Sequence, residues 1–287
     1  MRCDTGARMH EAIAERARTY RSRYEQFGLL YTTLAPMRYL ATLSARRLGE
    51  TAQTIEAQLL KIEGAKGVLG PAHRAYSGHS PDENRAIWTA WDWSQGGDEW
   101  NDTDEPEQWK ASLVDEVLLA NIGDARTILE IGPGGGRWSE VLQPLAERLV
   151  LVDVTQRALA ICKERLGNAA NVEYVLSEGG AFPEVEDSSI DWVWSFDVFV
   201  HIAPLDVASY IAEIARVLRP GGTAVIHHSG ELQRFPGWRS PMTAVLFAEL
   251  ARERGLEVTR QFDSWSDGRF GVRTNNDVIT MLRLPGA

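Results

Sequence analysis

The chain is poor in cysteine. Two among 287 residues, Cys3 and Cys162, build neither a disulfide framework nor a zinc cage by themselves. Such sparing use fits a reducing, cytoplasmic setting. A continuous apolar run of about 20 residues is also missing, so no segment reads as a membrane-spanning helix. Basic residues are outnumbered: thirty Lys and Arg face forty Asp and Glu, for a formal charge of −10. Proteins that grip a phosphate backbone present basic faces, so nucleic acid is not an expected partner. Met1-Arg2-Cys3-Asp4 opens onto a charged helical pattern, not the apolar centre of a secretory leader. Internal repeats and low-complexity tracts are absent too. What remains is a chain 44% apolar, long enough to bury a large α/β core with a smaller addition.

Three regions stand out. Over residues 1–70, Ile13, Ala17, Tyr20, Tyr24, Phe27 and Leu30 recur at helical steps. Leu40, Leu43, Leu48, Ile55, Leu59 and Ile62 continue less regularly until Gly64, Gly67, Gly70 and Pro71 end the pattern. This predicts an auxiliary helical region that covers the main domain or joins two copies as a homodimer. Residues 71–111 hold Trp88, Trp91, Trp93, Trp100 and Trp109, and a run of six acids from Asp98 to Glu107 without a basic residue. That segment reads as a connector and an active-site lid. Its rings suit sugar faces or cations, and its carboxylates suit an amine-bearing ligand. The plain alternative is packing at the junction with a solvated acidic loop.

From residue 112 onward, strands and helices alternate. Strands are expected at Thr127–Ile131, Leu149–Val152, Val172–Leu176, Ile190–Ser195, Thr223–His228, Leu256–Phe262 and Val278–Leu284. Helices are expected over Arg137–Ala146, over Thr155–Leu166, from Pro204 to the stop at Pro220-Gly221-Gly222, and from Ser240-Pro241 to Gly255. The alternation predicts an α/β fold with a doubly wound, mostly parallel sheet and an N-terminal helical extension. The strongest local signal is Ile128-Leu129-Glu130-Ile131-Gly132-Pro133-Gly134-Gly135-Gly136-Arg137-Trp138, a buried strand running into a glycine turn and a helix. Glycines without a Cβ let the backbone bend and approach a ligand. Asp153 ends the next strand, where a carboxylate accepts both ribose hydroxyl hydrogens. Arg137-Trp138 replaces the Lys-Ser/Thr of a P-loop, and Arg137 occupies the third glycine position of a dinucleotide fingerprint. S-adenosylmethionine, with an adenosine but no phosphate, remains.

The motif Glu130-Ile131-Gly132-Pro133-Gly134-Gly135-Gly136 resembles the first motif of class I S-adenosylmethionine-dependent methyltransferases. Leu151-Val152-Asp153 resembles their ribose-binding strand end, and Asp187–Ser195 their fourth strand. The segment from Glu213 to Gly222 resembles the helix and turn before their fifth strand. The likeness covers residues 112–287. It implies a Rossmann-like seven-stranded sheet whose antiparallel last strand is supplied by Val278–Leu284. It also implies S-adenosylmethionine as cofactor, with S-adenosylhomocysteine as product. The residues it points to are Gly132, Gly134, Gly136 and Asp153, with Glu130 supporting the turn or the donor's amino group. Glu178 and Gly179 would border the adenine, although aspartate is usual at 178. Ser195 and Phe196 would lie beside the methionine portion, with Trp100 and Trp109 over the donor.

Methyl transfer from a sulfonium is an in-line displacement that rewards alignment and water exclusion. A hydroxyl acceptor gains from a base near neutrality, commonly histidine. His201, beyond the fourth strand, and one of the pair His227/His228 ending the fifth are therefore candidates, since neighbouring strand residues face opposite ways. His201 and His228 are taken as base or orienting groups, and Asp197 as the residue that orients a histidine or holds an ammonium. No ligand spacing singles out a metal. The whole pattern resembles small-molecule methyltransferases of bacterial secondary metabolism. The expected acceptor is a hydroxyl or amine of a sugar or amino-sugar natural product, such as an aminoglycoside antibiotic. Polyketide or phenolic O-methylation is one alternative, and a non-catalytic S-adenosylmethionine-binding regulator is another.

Overall fold

The computed structural model describes residues 80–100, 103–231 and 239–286. The helical region expected over 1–70 lies outside them. Seven strands form one sheet. Its parallel set is β1 (Thr127–Ile131), β2 (Arg148–Asp153), β3 (Val172–Leu176), β4 (Ile190–Ser195) and β5 (Leu218–Ser229). β6 (Glu257–Phe262) lies at one edge, and β9 (Asp277–Arg283) runs antiparallel to both β5 and β6. The order across the sheet is β3-β2-β1-β4-β5-β9-β6. A two-residue hairpin, β7 (Ser264–Trp265) with β8 (Phe270–Gly271), stands apart from this sheet. The order reverses between β1 and β4, and ligands in such sheets sit outside the carboxyl ends of the strands at that reversal.

Both faces of the sheet are covered, so the central strands read as apolar runs. On one face Leu129, Ile131, Val150, Val152, Val193, Ala224 and Ile226 pack under α5 (Pro204–Val217) and α6 (Ala244–Glu253). Residues of opposite parity, including Ile128, Leu149, Leu151, Trp192, Trp194 and Val225, pack on the other face. There they meet α2 (Pro106–Ser112), which continues as a π-helical stretch over Leu113–Leu119, and α4 (Gln156–Arg165). One more helix, α1 (Pro81–Ala90), opens the described part with a reciprocal cap between Ser80 and Glu83. A short helix, α3 (Ser139–Leu142), follows the glycine turn.

Three boundaries differ from expectation. α3 has four residues and gives way to a 3₁₀ turn at Gln143–Leu145, because Pro144 cannot donate into a continuing helix. α6 starts only after Thr243, whose side chain accepts from the Leu246 amide, and not at Ser240-Pro241. β5 begins at Leu218, because the expected Pro220-Gly221-Gly222 stop is drawn into the sheet: the Gly221 amide donates to Leu284 O at 2.8 Å.

Candidate active site

A cleft of about 890 Å³, part of it open to solvent, lies at the carboxyl ends of β1, β2 and β4. Its donor side is the glycine turn with Val152, Asp153 and Val154, beside Pro81, Asn84 and Gly179. Gly132 has φ +70°, and a Cβ there would lie 2.4 Å from Val198 Cγ2. Gly134 has φ +53°, and a Cβ there would lie 2.6 Å from the Trp93 ring. The turn therefore demands glycine for both conformation and space. Asp153 Oδ1 accepts from the amide and hydroxyl of Thr155 at 2.8 and 2.9 Å, which fixes the carboxylate at the cleft wall. Burial pushes its pKa up to about 6, against the opposing pull of the Thr155, Gly134 and Val154 bonds.

The rest of the floor is Phe196, Asp197, Val198 and Ile202 after β4, while Asp206 and Tyr210 from α5 stand against Gly180, beside the Asp153 and Gly179 side. Asp197 has φ +60°, an uncommon conformation for a residue with a side chain. Its amide donates to His227 Nδ1 at 3.1 Å, and its Oδ1 lies 3.2 Å from the same nitrogen. Burial alone would raise the Asp197 carboxyl, but His227, Arg137 and Arg239 outweigh it and hold the group below the usual carboxylate range. Burial pushes His227 the other way, toward the neutral ring, against the attraction of Asp197. Asp277 Oδ2 lies 3.3 Å from His227 Nε2 and pairs with Arg239. Arg137, about 4% exposed, sits in the wall over the Trp138 ring at 4.2 Å, between Asp98 at 3.2 Å and Asp197 at 3.8 Å. Burial lowers its pKa, and the surrounding carboxylates oppose the effect.

The roof comes from residues 80–100. Trp88, Trp93 and Trp100 line the cleft, and with Trp91 they form a cluster whose ring centroids lie 5.5–6.0 Å apart. Gly96 and Gly97 rest on the glycine turn so closely that a Cβ on Gly135 would come within 2.8 Å of the Gly96 backbone. Arg165 clasps both sides by donating to Gly96 O at 3.1 Å and Gly135 O at 2.9 Å.

Of the residues singled out from the sequence, the cleft brings together Gly132, Gly134, Asp153, Gly179, Phe196, Asp197 and Trp100. Others stand behind it. Ser195 Oγ donates to Ile131 O at 2.9 Å and ties β4 to β1, away from the donor wall. Gly136 faces α4, where a Cβ would lie 3.1 Å from Arg165 Cδ. Glu178 is exposed and outside the lining, which corrects its assignment to the adenine. Trp109 is buried under the hairpin, donating to Gly271 O at 3.1 Å, so it does not reach the donor side. Glu130 is a support: it lies buried beneath the turn, accepts from Ser139 Oγ at 2.5 Å, and is driven by burial to a pKa of about 8.

The two histidines need a larger correction. His228 does not face the cleft. Its ring stacks on Phe247 of α6 at 3.8 Å, Nδ1 bonds Ser229 O at 2.8 Å, and Nε2 bonds Thr280 Oγ1 at 2.7 Å. Burial drives its pKa to about 3, so it stays neutral. His201, 7% exposed, is also outside the lining and packs against Trp88 with centroids 5.3 Å apart. His227, on the opposite face of the sheet from His228, is outside the lining too, and stands directly behind the wall, stacked 4.3 Å from Phe196. Sheet parity held that signal: Trp194 pairs with Val225, so Phe196 continues beside His227. Arg137, Asn84, Asp206 and Tyr210 carried no motif that marked them in advance. Among the described residues no group of three or more His, Cys, Asp or Glu is placed to hold a metal, and no helix is long and apolar enough to cross a membrane.

Comparison with known proteins agrees with this geometry. Residues 129–226 match a methyltransferase domain family. A probable S-adenosylmethionine-dependent methyltransferase of Mycolicibacterium smegmatis is 28% identical over 148 residues, 49% of this chain and 55% of that protein. Nodulation protein S of Rhizobium tropici is 26% identical over 171 residues, 57% of this chain and 70% of the relative. The first matched curated relatives are spanned over about half of their length. Among solved structures, N-methyltransferase NodS from Bradyrhizobium japonicum WM9 in complex with S-adenosyl-L-homocysteine superposes with a TM-score of 0.50 at 20% identity. That match covers 66% of this chain and 93% of the other, and it speaks for the fold. Strand order, glycine turn and matched segment coincide: the sheet has the Rossmann-like architecture of class I methyltransferases, and residues 129–226 are similar to a methyltransferase domain.

Proposed function

We propose that the chain transfers a methyl group from S-adenosylmethionine to a hydroxyl or amine of a small molecule, a sugar or amino-sugar natural product being the leading class. One observation carries this reading: the donor wall and the polar acceptor wall share a single roofed cleft. The residues fit the donor. Gly132 and Gly134 keep the turn free of side chains, Asp153 offers its carboxylate to the ribose hydroxyls, and Asn84 and Gly179 flank the same side. When bound, S-adenosylmethionine supplies an electrophilic methyl group on a cationic sulfur.

The chain's own contribution is alignment, exclusion of water and charge. Trp88, Trp93 and Trp100 cover the cleft with apolar surface, which raises the strength of every charge beneath them. Three aspartates and one arginine are the acids and bases of the lining, a balance that favours a cationic ligand. Asp197, kept ionised, holds the acceptor's polar group at the mouth of β4. Histidine base catalysis finds little support here, because His201 and His228 both stand outside the lining. Calorimetry with S-adenosylhomocysteine tests the donor site, and a mass-shift screen with S-adenosylmethionine against aminoglycosides, glycosides and phenols tests the acceptor. Binding with a gain of one methyl on a member of the panel is expected. Absence of heat refutes the donor assignment, and binding without methylation of any compound favours a regulator.

A further inference from the structure

Behind the acceptor wall lies a buried polar chain that methyl transfer as described does not use. It runs from Asp197 at the cleft through His227 to Asp277 and Arg239. His227 and Asp277 are 2% and 1% exposed at their side chains, so ordinary solvation accounts for neither. Burying a carboxylate and an imidazole in an otherwise aromatic layer is costly, and the 3.3 Å contact between them lacks hydrogen-bond geometry, so the charge of Asp277 is balanced by its ion pair with Arg239. The strand register explains how they meet. Asp277 is the first residue of β9 and pairs with Ser229, the last of β5, two positions beyond His227. The link to the cleft is backbone as well as side chain. The Asp197 amide donates to His227 Nδ1, and Asp197 holds the left-handed φ that a non-glycine residue adopts only when its surroundings impose it. Phe196, stacked on the His227 ring, fixes the residue immediately before.

Resting on the methyltransferase reading above, we propose that His227, backed by Asp277 and Arg239, is a positioning residue that holds Asp197 as the receptor for a cation beside the transferable methyl, and that the acceptor is therefore an amine. Arg137 shares a single positive charge between Asp98 at 3.2 Å and Asp197 at 3.8 Å, so the two carboxylates outnumber it. A carboxylate held below its usual range is a weak base for a hydroxyl acceptor, whereas a neutral amine attacks the methyl through its lone pair, the S–C bonding pair leaves on sulfur, and the ammonium that forms gains a charge-assisted bond from Asp197.

Sinefungin tests this without knowledge of the acceptor. It is an S-adenosylmethionine analogue with a primary amine where the methyl-bearing sulfonium stands, and S-adenosylhomocysteine is its counterpart without that charge. Binding constants for both are measured by calorimetry on the full chain. Wild type is expected to prefer sinefungin. Asp197→Asn and His227→Leu are expected to reduce that preference roughly 10-fold or more, the scale of one charge-assisted bond. S-adenosylhomocysteine affinity should stay within about threefold, since its contacts lie on the donor side. His227→Asn, which keeps an acceptor for the Asp197 amide, should recover part of the preference. If melting curves show that His227→Leu does not fold, the equal-sized Asp277→Asn carries the test with the same expected direction. An unchanged preference in Asp197→Asn, or an equal loss for both ligands in the His227 and Asp277 variants, overturns the proposal. A wild type that binds sinefungin no better than S-adenosylhomocysteine overturns it as well and leaves the donor site intact. A wild type that binds neither ligand removes the donor-site reading itself.

Discussion

Glu130 offers a test in which the glycine turn is probed through pH alone. Its carboxyl is 1% exposed beneath the turn, accepts from Ser139 Oγ, and is raised by burial from 4.5 to about 8, with Asp153 adding to the rise. At pH 7 the buried group is therefore mostly the neutral acid. An acid whose folded pKa lies above its unfolded one binds more protons when folded, so its contribution is complete below about 4.5 and is lost as pH rises through about 8. Between pH 5 and pH 8 the linkage relation makes this loss on the order of 3 kcal/mol, using ~1.4 kcal/mol per tenfold change. Glu130→Gln removes the titration and keeps the size. Urea unfolding of both proteins at pH 5, 6, 7 and 8 should show the variant gaining on wild type with each step. Asp153 titrates in both proteins, so the difference between them reports Glu130 together with its coupling to Asp153. Two curves that run parallel from pH 5 to 8 would refute the argument that Glu130 is carried in the fold as a neutral acid.

Asp153→Ala should abolish measurable S-adenosylhomocysteine binding, and wild-type affinity should be weaker at pH 5 than at pH 8, because the carboxylate is protonated below about 6; calorimetry at the two pH values checks both. Gly134→Ala, forced into φ +53° and against Trp93, should cost about 1–2 kcal/mol from the backbone alone and lift the roof, read by urea unfolding and by tryptophan fluorescence. His228→Leu should lower stability by roughly 1–3 kcal/mol, since Thr280 and Ser229 lose a buried partner, while leaving the S-adenosylhomocysteine binding constant within about twofold. A binding loss in step with charge on that ring would place His228 at the cleft after all.

The fold was legible because its central strands are largely apolar and its turns carry glycine or proline. Gly132 to Gly136 and the carboxylate at 153 announced the donor side, since backbone conformation and strand-end position are local properties. The acceptor side was less legible. Which of His227 and His228 backs the cleft wall depends on the register between β4 and β5, a long-range fact that adjacent residues do not encode. His201 follows β4 closely in sequence, yet the roof places Trp88 against it. Glu178 sits one residue before a lining glycine and points to solvent, because the chain turns sharply at Gly179, where φ is +95°. Arg137 appeared only as a missing glycine, and its charge gained meaning once Asp98 and Asp197 converged on it.

The seam between Gly96 and Gly135 is backbone laid on backbone, buckled from one side by the Arg165 guanidinium. Any residue but glycine at 135 would pry the tryptophan roof off its seat. Room for bulkier acceptors therefore has to be won at the rings of Trp88, Trp93 and Trp100, while the hinge line of the vault stays as it is.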